Sequence, residues 1–261
     1  MNRLRHELRL FFVALQFLTR LPVPRWVGWQ PAWLNACVRH FPLVGALVGA
    51  AGAAVACSAL LAWPPLVAAA LAVAATLWLT AAFHEDGLAD SFDALLGAAP
   101  REKALAIMKD SRIGSYGALA LGLVLGLKLA LLALIAQRGA APAAAALLGA
   151  HVLSRAAPLD VMYGLPYVSD PSGAKSKPLA ESAGPATVLT GLAWSLPALL
   201  LLGWVHGPLS LGLAVLGWML ALGAMRRTLR RRLQGFTGDT LGATQQLCEL
   251  ALYLGLALRL P

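Results

Sequence analysis

Apolar residues fall into seven long runs with little polar interruption, roughly 43–62, 64–83, 114–136, 141–163, 186–203, 208–225 and 241–258. None alternates apolar with polar positions, which argues against the strands of a β-barrel. As helices they are long enough to cross a hydrocarbon core of about 30 Å. The tight breaks between them carry Pro or Gly: Pro64-Pro65, Gly139 to Pro142 and Gly207-Pro208. The pattern predicts an all-α fold, a polytopic helical integral membrane protein with about seven transmembrane helices. Before the first run, Leu4, Leu8, Phe11, Leu15 and Leu18 recur at helical spacing, with Arg3, Arg5, Glu7 and Arg9 largely off that face. This predicts an N-terminal helix lying in the membrane interface. Glu7 and Arg9 interrupt any signal-peptide core, and no small-residue cleavage site follows. Gly45, Gly49 and Gly52, and Gly122 and Gly126, have the spacing of close helix contacts.

Composition sharpens this picture. Apolar types make up 59% of the 261 residues and charged types 13%, with a mean hydropathy of +0.71. So few charges cannot build a water-facing shell, and so much apolar content excludes disorder. No soluble domain or internal repeat is visible, so residues 1–261 are read as a single membrane-embedded domain. The net charge of +9 would suggest nucleic acid in a soluble protein. Here its distribution speaks for topology instead, and no nucleic-acid partner is expected. The segments before the first run and after the second, fourth and sixth hold 17 of the 21 Lys and Arg residues. That bias places the N-terminus in the cytoplasm and the C-terminus outside. Cys37, Cys57 and Cys248 lack metal-ligand spacing and read as small apolar residues.

The chemistry gathers after the second run. Ten of the 33 charged residues lie within the 29 positions 84–112. Asp86, Asp90 and Asp93, at i, i+4 and i+7, share one face of a helix. Three carboxylates stacked in this way repel unless a cation joins them, and oxygen-only ligation favours Mg²⁺, Mn²⁺ or Ca²⁺. The alternative is a solvated acidic helix end. Further on, Lys109, Ser111 and Arg112 offer donors for phosphate oxygens, and Asp110 a further carboxylate. The competing reading of that segment is an interfacial anchor. Arg155, inside the fourth run, needs a partner or a polar cavity. Asp160 is its nearest acidic neighbour, at the awkward spacing i+5. Lys175 lies in a polar loop, Asp239 opens the last run as either a cap or a site residue, and Glu249 should face the bundle interior. The basic run Arg226 to Arg232 reads as an anchor to anionic headgroups. Asp86, Asp90, Asp93, Asp110 and Asp239, with Lys109, Arg112 and Lys175, all map to the cytoplasmic face, which suits metal-assisted chemistry on a phosphorylated cytosolic compound. A transporter would more often place such groups at the bilayer midplane.

Three separated motifs, HEDGLADSFDALLGA at 84–98, MKDSRIGSYG at 108–117 and TGDTLGA at 237–243, resemble those of the cobalamin synthase (adenosylcobinamide-GDP ribazoletransferase) family. FLTRLPVP at 17–24 and FPLVGALVG at 41–49 match as well. The likeness departs at Glu85, Ser91 and Ala94, where the family commonly has Leu, Thr and Gly. The resemblance implies the last stage of cobalamin assembly in the cell inner membrane. The cobinamide phosphoryl group of adenosylcobinamide-GDP passes to the ribose of α-ribazole or its 5′-phosphate, and GMP leaves. It implies Mg²⁺, which the row Asp86, Asp90 and Asp93 would hold; Glu85, where the likeness departs, is left as an extra ligand or a base. Asp93, Asp110 or Asp239 would then be catalytic, and Lys109, Ser111, Arg112, Arg155 and Lys175 would bind substrate. Homo-oligomerisation is left open. A CDP-alcohol phosphotransferase acting on lipid is the alternative, although that family's full Asp pattern is absent: Ala89-Asp90 follows Asp86-Gly87.

Overall fold

Each of the seven apolar runs is helical in the computed structural model, which describes residues 3–97, 99–168 and 180–258. The helices are α1 (Arg3–Leu18), α2 (Ala32–Cys37), α3 (Phe41–Ala59), α4 (Pro65–Thr80), α5 (Phe83–Leu95), α6 (Arg101–Met108), α7 (Ser115–Ala136), α8 (Ala140–Gly164), α9 (Pro185–His206), α10 (Pro208–Arg232) and α11 (Gly238–Ala257). No strand occurs among the described residues; one isolated bridge joins Tyr167 to Phe236. The seven long helices alternate in direction between two ends. At one end Phe17 of α1 stacks on Phe41 at the start of α3 and meets Phe83 at the start of α5. At the other, Arg138 after α7 donates to the Leu256 carbonyl near the end of α11, and His206 at the end of α9 meets the Pro142 carbonyl.

Length and apolarity suffice for a crossing in four stretches, namely Ala32–Ala59, α7, α9 and α10. The helices α8 and α11, of 25 and 20 residues, are long enough but less apolar, because polar side chains project from them into the bundle. The run at 64–83 is not one straight span. It ends at Thr80, and α5 departs from α4 at 88°. Ala81 and Ala82 make the corner, both left-handed with φ of 57° and 53°. That conformation costs a residue bearing a Cβ roughly 1–2 kcal/mol. The corner holds because the amide of Ala82 closes α4 onto the carbonyl of Leu77 at 2.9 Å. It lays α5 across the end of α4 rather than along the crossing.

In α1 the face packed on the protein is Leu10, Val13, Ala14 and Leu18, joined by Leu15, while Leu4 and Leu8 are exposed. One packing expectation is revised. Of the small-residue sets, Gly45 and Gly49 do seat α3 on α8, and Gly52 meets Thr76 of α4. Gly122 and Gly126 of α7 face open space.

Candidate functional site

The site is built where three helix ends meet α5. The first contact is with α11. A Cβ on Gly87 would lie 2.7 Å from the Asp239 carbonyl, so α5 crosses the start of α11 at backbone distance. Thr237 caps α11, accepting from the Thr240 amide at 3.3 Å while Thr240 Oγ1 accepts from the Thr237 amide at 2.9 Å. Capping is therefore done by Thr237, and Asp239 is left for the acidic face of α5. The second contact is with α7. Asp93 accepts from the amides of Gly114 and Gly117, at 2.7 and 2.9 Å, and so caps that helix from outside it. A Cβ on either glycine would run into this carboxylate.

The third contact is with the end of α1. A cavity of about 770 Å³ opens between α1 and α5, lined among others by Gln16, Arg20, Thr80, Asp86, Asp90 and Ser111. A smaller cavity of about 210 Å³ is lined by Asp239, Lys109, Glu102 and Thr237. The carboxylates feel one another. Burial, and then the neighbouring Asp239, Asp86, Asp93 and Asp110, push the Asp90 carboxyl up to about 7. Burial, and then Asp86, push Asp239 up to about 6.

The remaining predicted residues are dispersed. The Arg112 guanidinium is 87% exposed and pairs with Asp110 at 2.6 Å. Ser111 lines the larger cavity and Lys109 the smaller. Lys175 lies outside the described residues. Asp160 is the partner of Arg226, at 2.7 Å, and not of Arg155. Nor is the basic run purely a surface anchor: Arg232 donates to the carbonyls of Leu95, Gly97 and Ala99 and so holds the end of α5.

Glu85 and Arg155 belong to a buried network in the bundle. Lys128 of α7 pairs with Glu249 of α11 at 2.8 Å and bonds the Gln246 carbonyl oxygen at 2.9 Å. The Gln246 amide donates to Glu85 at 2.7 Å, with Lys128 3.9 Å away. Gln245 donates to Glu249 and to Ser154, and Arg155 meets His151 at 3.0 Å. This network, with its two cations and two carboxylates, was not assembled by sequence reasoning. The signal for it was the pair of intramembrane charges at Lys128 and Glu249. The other Glu85 oxygen has no hydrogen-bond partner among the described residues. Its residue also lines the larger cavity, so Glu85 joins the network to the acidic wall.

Among the described residues, no three His, Cys, Asp or Glu side chains converge tightly enough to enclose a metal ion by themselves. Mg²⁺ does not require that. It is commonly held by one or two carboxylates, keeps several waters and takes the rest of its shell from substrate phosphates. Asp86 and Asp90, on one wall with the orphaned Glu85 oxygen nearby, fit such a shared site.

Fold and site thus define an all-helical polytopic membrane protein with an acid-lined cavity at the basic end of its bundle. The family model for cobalamin-5-phosphate synthase matches residues 10–257. The chain belongs to the cobalamin-5-phosphate synthase family. It is 50% identical over 256 residues to an adenosylcobinamide-GDP ribazoletransferase of Leptothrix cholodnii, covering 98% of this chain and 97% of that one. Relatives with the same name from Albidiferax ferrireducens and Polaromonas naphthalenivorans are 49% and 46% identical, each over 97% of this chain and 99% of theirs. No solved structure matches.

Proposed function

We propose that this chain is a membrane adenosylcobinamide-GDP ribazoletransferase. It transfers the cobinamide phosphoryl group from adenosylcobinamide-GDP to α-ribazole or its 5′-phosphate and releases GMP. The observation that carries the reading is the row Asp86 and Asp90, facing a cavity at the end of the bundle where most basic residues lie, with Asp239 close enough to raise the Asp90 carboxyl. That charge bias supports a cytoplasmic N-terminus and a site facing the cytoplasm of the cell inner membrane.

Breaking a diphosphate linkage spreads negative charge over phosphoryl oxygens and the departing nucleotide. Asp86 and Asp90 would hold Mg²⁺, which when bound supplies charge neutralisation at those oxygens. The acceptor hydroxyl must also lose a proton. Asp93 is committed to two backbone amides and Asp110 to Arg112, which makes both poor bases. Among the described residues Asp239 has no such commitment to another residue, and it is the base we favour. Ser111, which lines the larger cavity, and Lys109, which lines the smaller, would contact donor and acceptor oxygens. Arg155, bonded to His151 and surrounded by the bundle, serves the scaffold rather than the substrate.

The test uses purified protein in lipid vesicles with Mg²⁺. Adenosylcobinamide-GDP and α-ribazole should yield a cobalamin and GMP in equal amounts. CMP released from a CDP-alcohol, with no GMP from the corrinoid, would instead establish a lipid phosphotransferase.

A further inference from the structure

Among the described residues, the larger cavity has three acidic residues in its wall, Glu85, Asp86 and Asp90, and a single basic one, Arg20. Arg20 was one of the residues counted toward membrane topology; the fold gives it a more specific place. The turn that carries it is held from both sides. The Arg20 amide donates to the Leu79 carbonyl at the end of α4 at 2.9 Å. Thr19 Oγ1 donates to the Leu15 carbonyl at 2.7 Å and accepts from the Leu21 amide at 3.2 Å. The backbone of Arg20 is thereby tied to the same corner that sets the direction of α5. Its guanidinium makes no ion pair among the described residues and remains exposed. Among the described residues, the other basic groups near α5 are engaged or elsewhere: Arg112 lies on Asp110, Arg232 on the end of α5, Lys128 on Glu249 in the buried network, and Lys109 in the smaller cavity.

A diphosphate brought against Asp86 and Asp90 meets a wall of its own sign. A planar guanidinium on the opposite side, able to take two phosphate oxygens at once, relieves that conflict and fixes the direction of approach. We infer that Arg20, at the end of the N-terminal helix, binds the diphosphate of the donor nucleotide and orients it against the Asp86–Asp90 wall. The N-terminal helix is then part of the binding site and not only an interfacial anchor. This assignment rests on the proposed function.

The experiment measures KM for donor and acceptor separately in the full-length protein, wild type against Arg20→Ala, Arg20→Gln and Arg20→Lys, with thermal melts of each. Loss of a charge-assisted phosphate contact should raise the donor KM roughly 10- to 100-fold in R20A and R20Q. R20K should recover part of the loss, and the KM for α-ribazole, which has no phosphate, should stay within about two-fold. Should R20A not fold, R20Q and R20K carry the comparison. A donor KM unchanged in folded R20Q, an equal rise for donor and α-ribazole, or a rise confined to α-ribazole 5′-phosphate would overturn the assignment of Arg20 while wild-type turnover leaves the functional reading intact. A wild type that releases no GMP would overturn that reading and the assignment with it.

Discussion

Asp90→Asn should inactivate the protein and yet stabilise its metal-free form. Asp90 is half-buried and faces Asp239, Asp86, Asp93 and Asp110, and its carboxyl is displaced from the usual 3.8 to about 7. For a fully dry group, that displacement would correspond to ~4 kcal/mol of penalty for holding the charge at pH 8. Asp90 retains contact with water, and screening reduces the cost to about 1–2 kcal/mol. The amide of Asn is neutral and close in shape, so its substitution removes the repulsion without opening a void. In a chain of this length the gain corresponds to a melting temperature higher by roughly 2–8 °C. The assay is a thermal melt of detergent-solubilised protein in excess chelator at pH 8, paired with GMP release in Mg²⁺. The variant should melt higher and release no GMP. Mg²⁺ should raise the melting temperature of the wild type and not that of the variant. A variant that melts lower than wild type in chelator, or that keeps full activity, would refute the reasoning.

The same electrostatics has a pH signature. A carboxyl whose folded-state value lies above its unfolded one binds more protons when folded, so stability falls as pH rises between the two values. Chelator-treated protein should therefore melt progressively lower as pH is raised from about 4 to about 7 in the part of the response due to Asp90, and Asp90→Asn should flatten that part. Gly87→Ala should place a methyl against the Asp239 carbonyl, force α5 away from α11 and cost about 1–3 kcal/mol with loss of turnover, read by melt and GMP assay. Lys128→Met strands Glu85 and Glu249 in the bundle. It should destabilise by about 3–5 kcal/mol, measured by thermal melt, and combining it with Glu249→Gln should recover part of that.

The helices were legible because each apolar run is long and bounded by Pro or Gly, and the acidic row because helical spacing puts Asp86 and Asp90 on one face. The corner at Ala81-Ala82 was not legible. Alanine carries no turn signal, and the left-handed pair is imposed by packing at the end of α4. The split of the acidic segment was equally hidden. Asp93 sits on the same face as its neighbours, yet two glycines 21 and 24 residues onward bring the start of α7 within hydrogen-bond reach and claim its carboxylate. Glu85 adjoins Asp86 in sequence, but one residue is 100° around a helix, and that rotation turns it toward Gln246 and Lys128. Arg20 could be counted as a charge, but only the return of α4 beside α1 puts it opposite the carboxylates.

The central claim is that the donor's diphosphate lies in the larger cavity, against Asp86 and Asp90. An electron density or cryo-EM map of an inactive Asp239→Asn variant soaked with adenosylcobinamide-GDP and Mg²⁺ examines it most directly. The account predicts phosphate density between the end of the N-terminal helix and the Asp86–Asp90 face of α5, bridged to those carboxylates by ion density. Diphosphate density on the far side of the bundle, beside Arg138, or along the lipid-facing surface of α9 and α10 would contradict it.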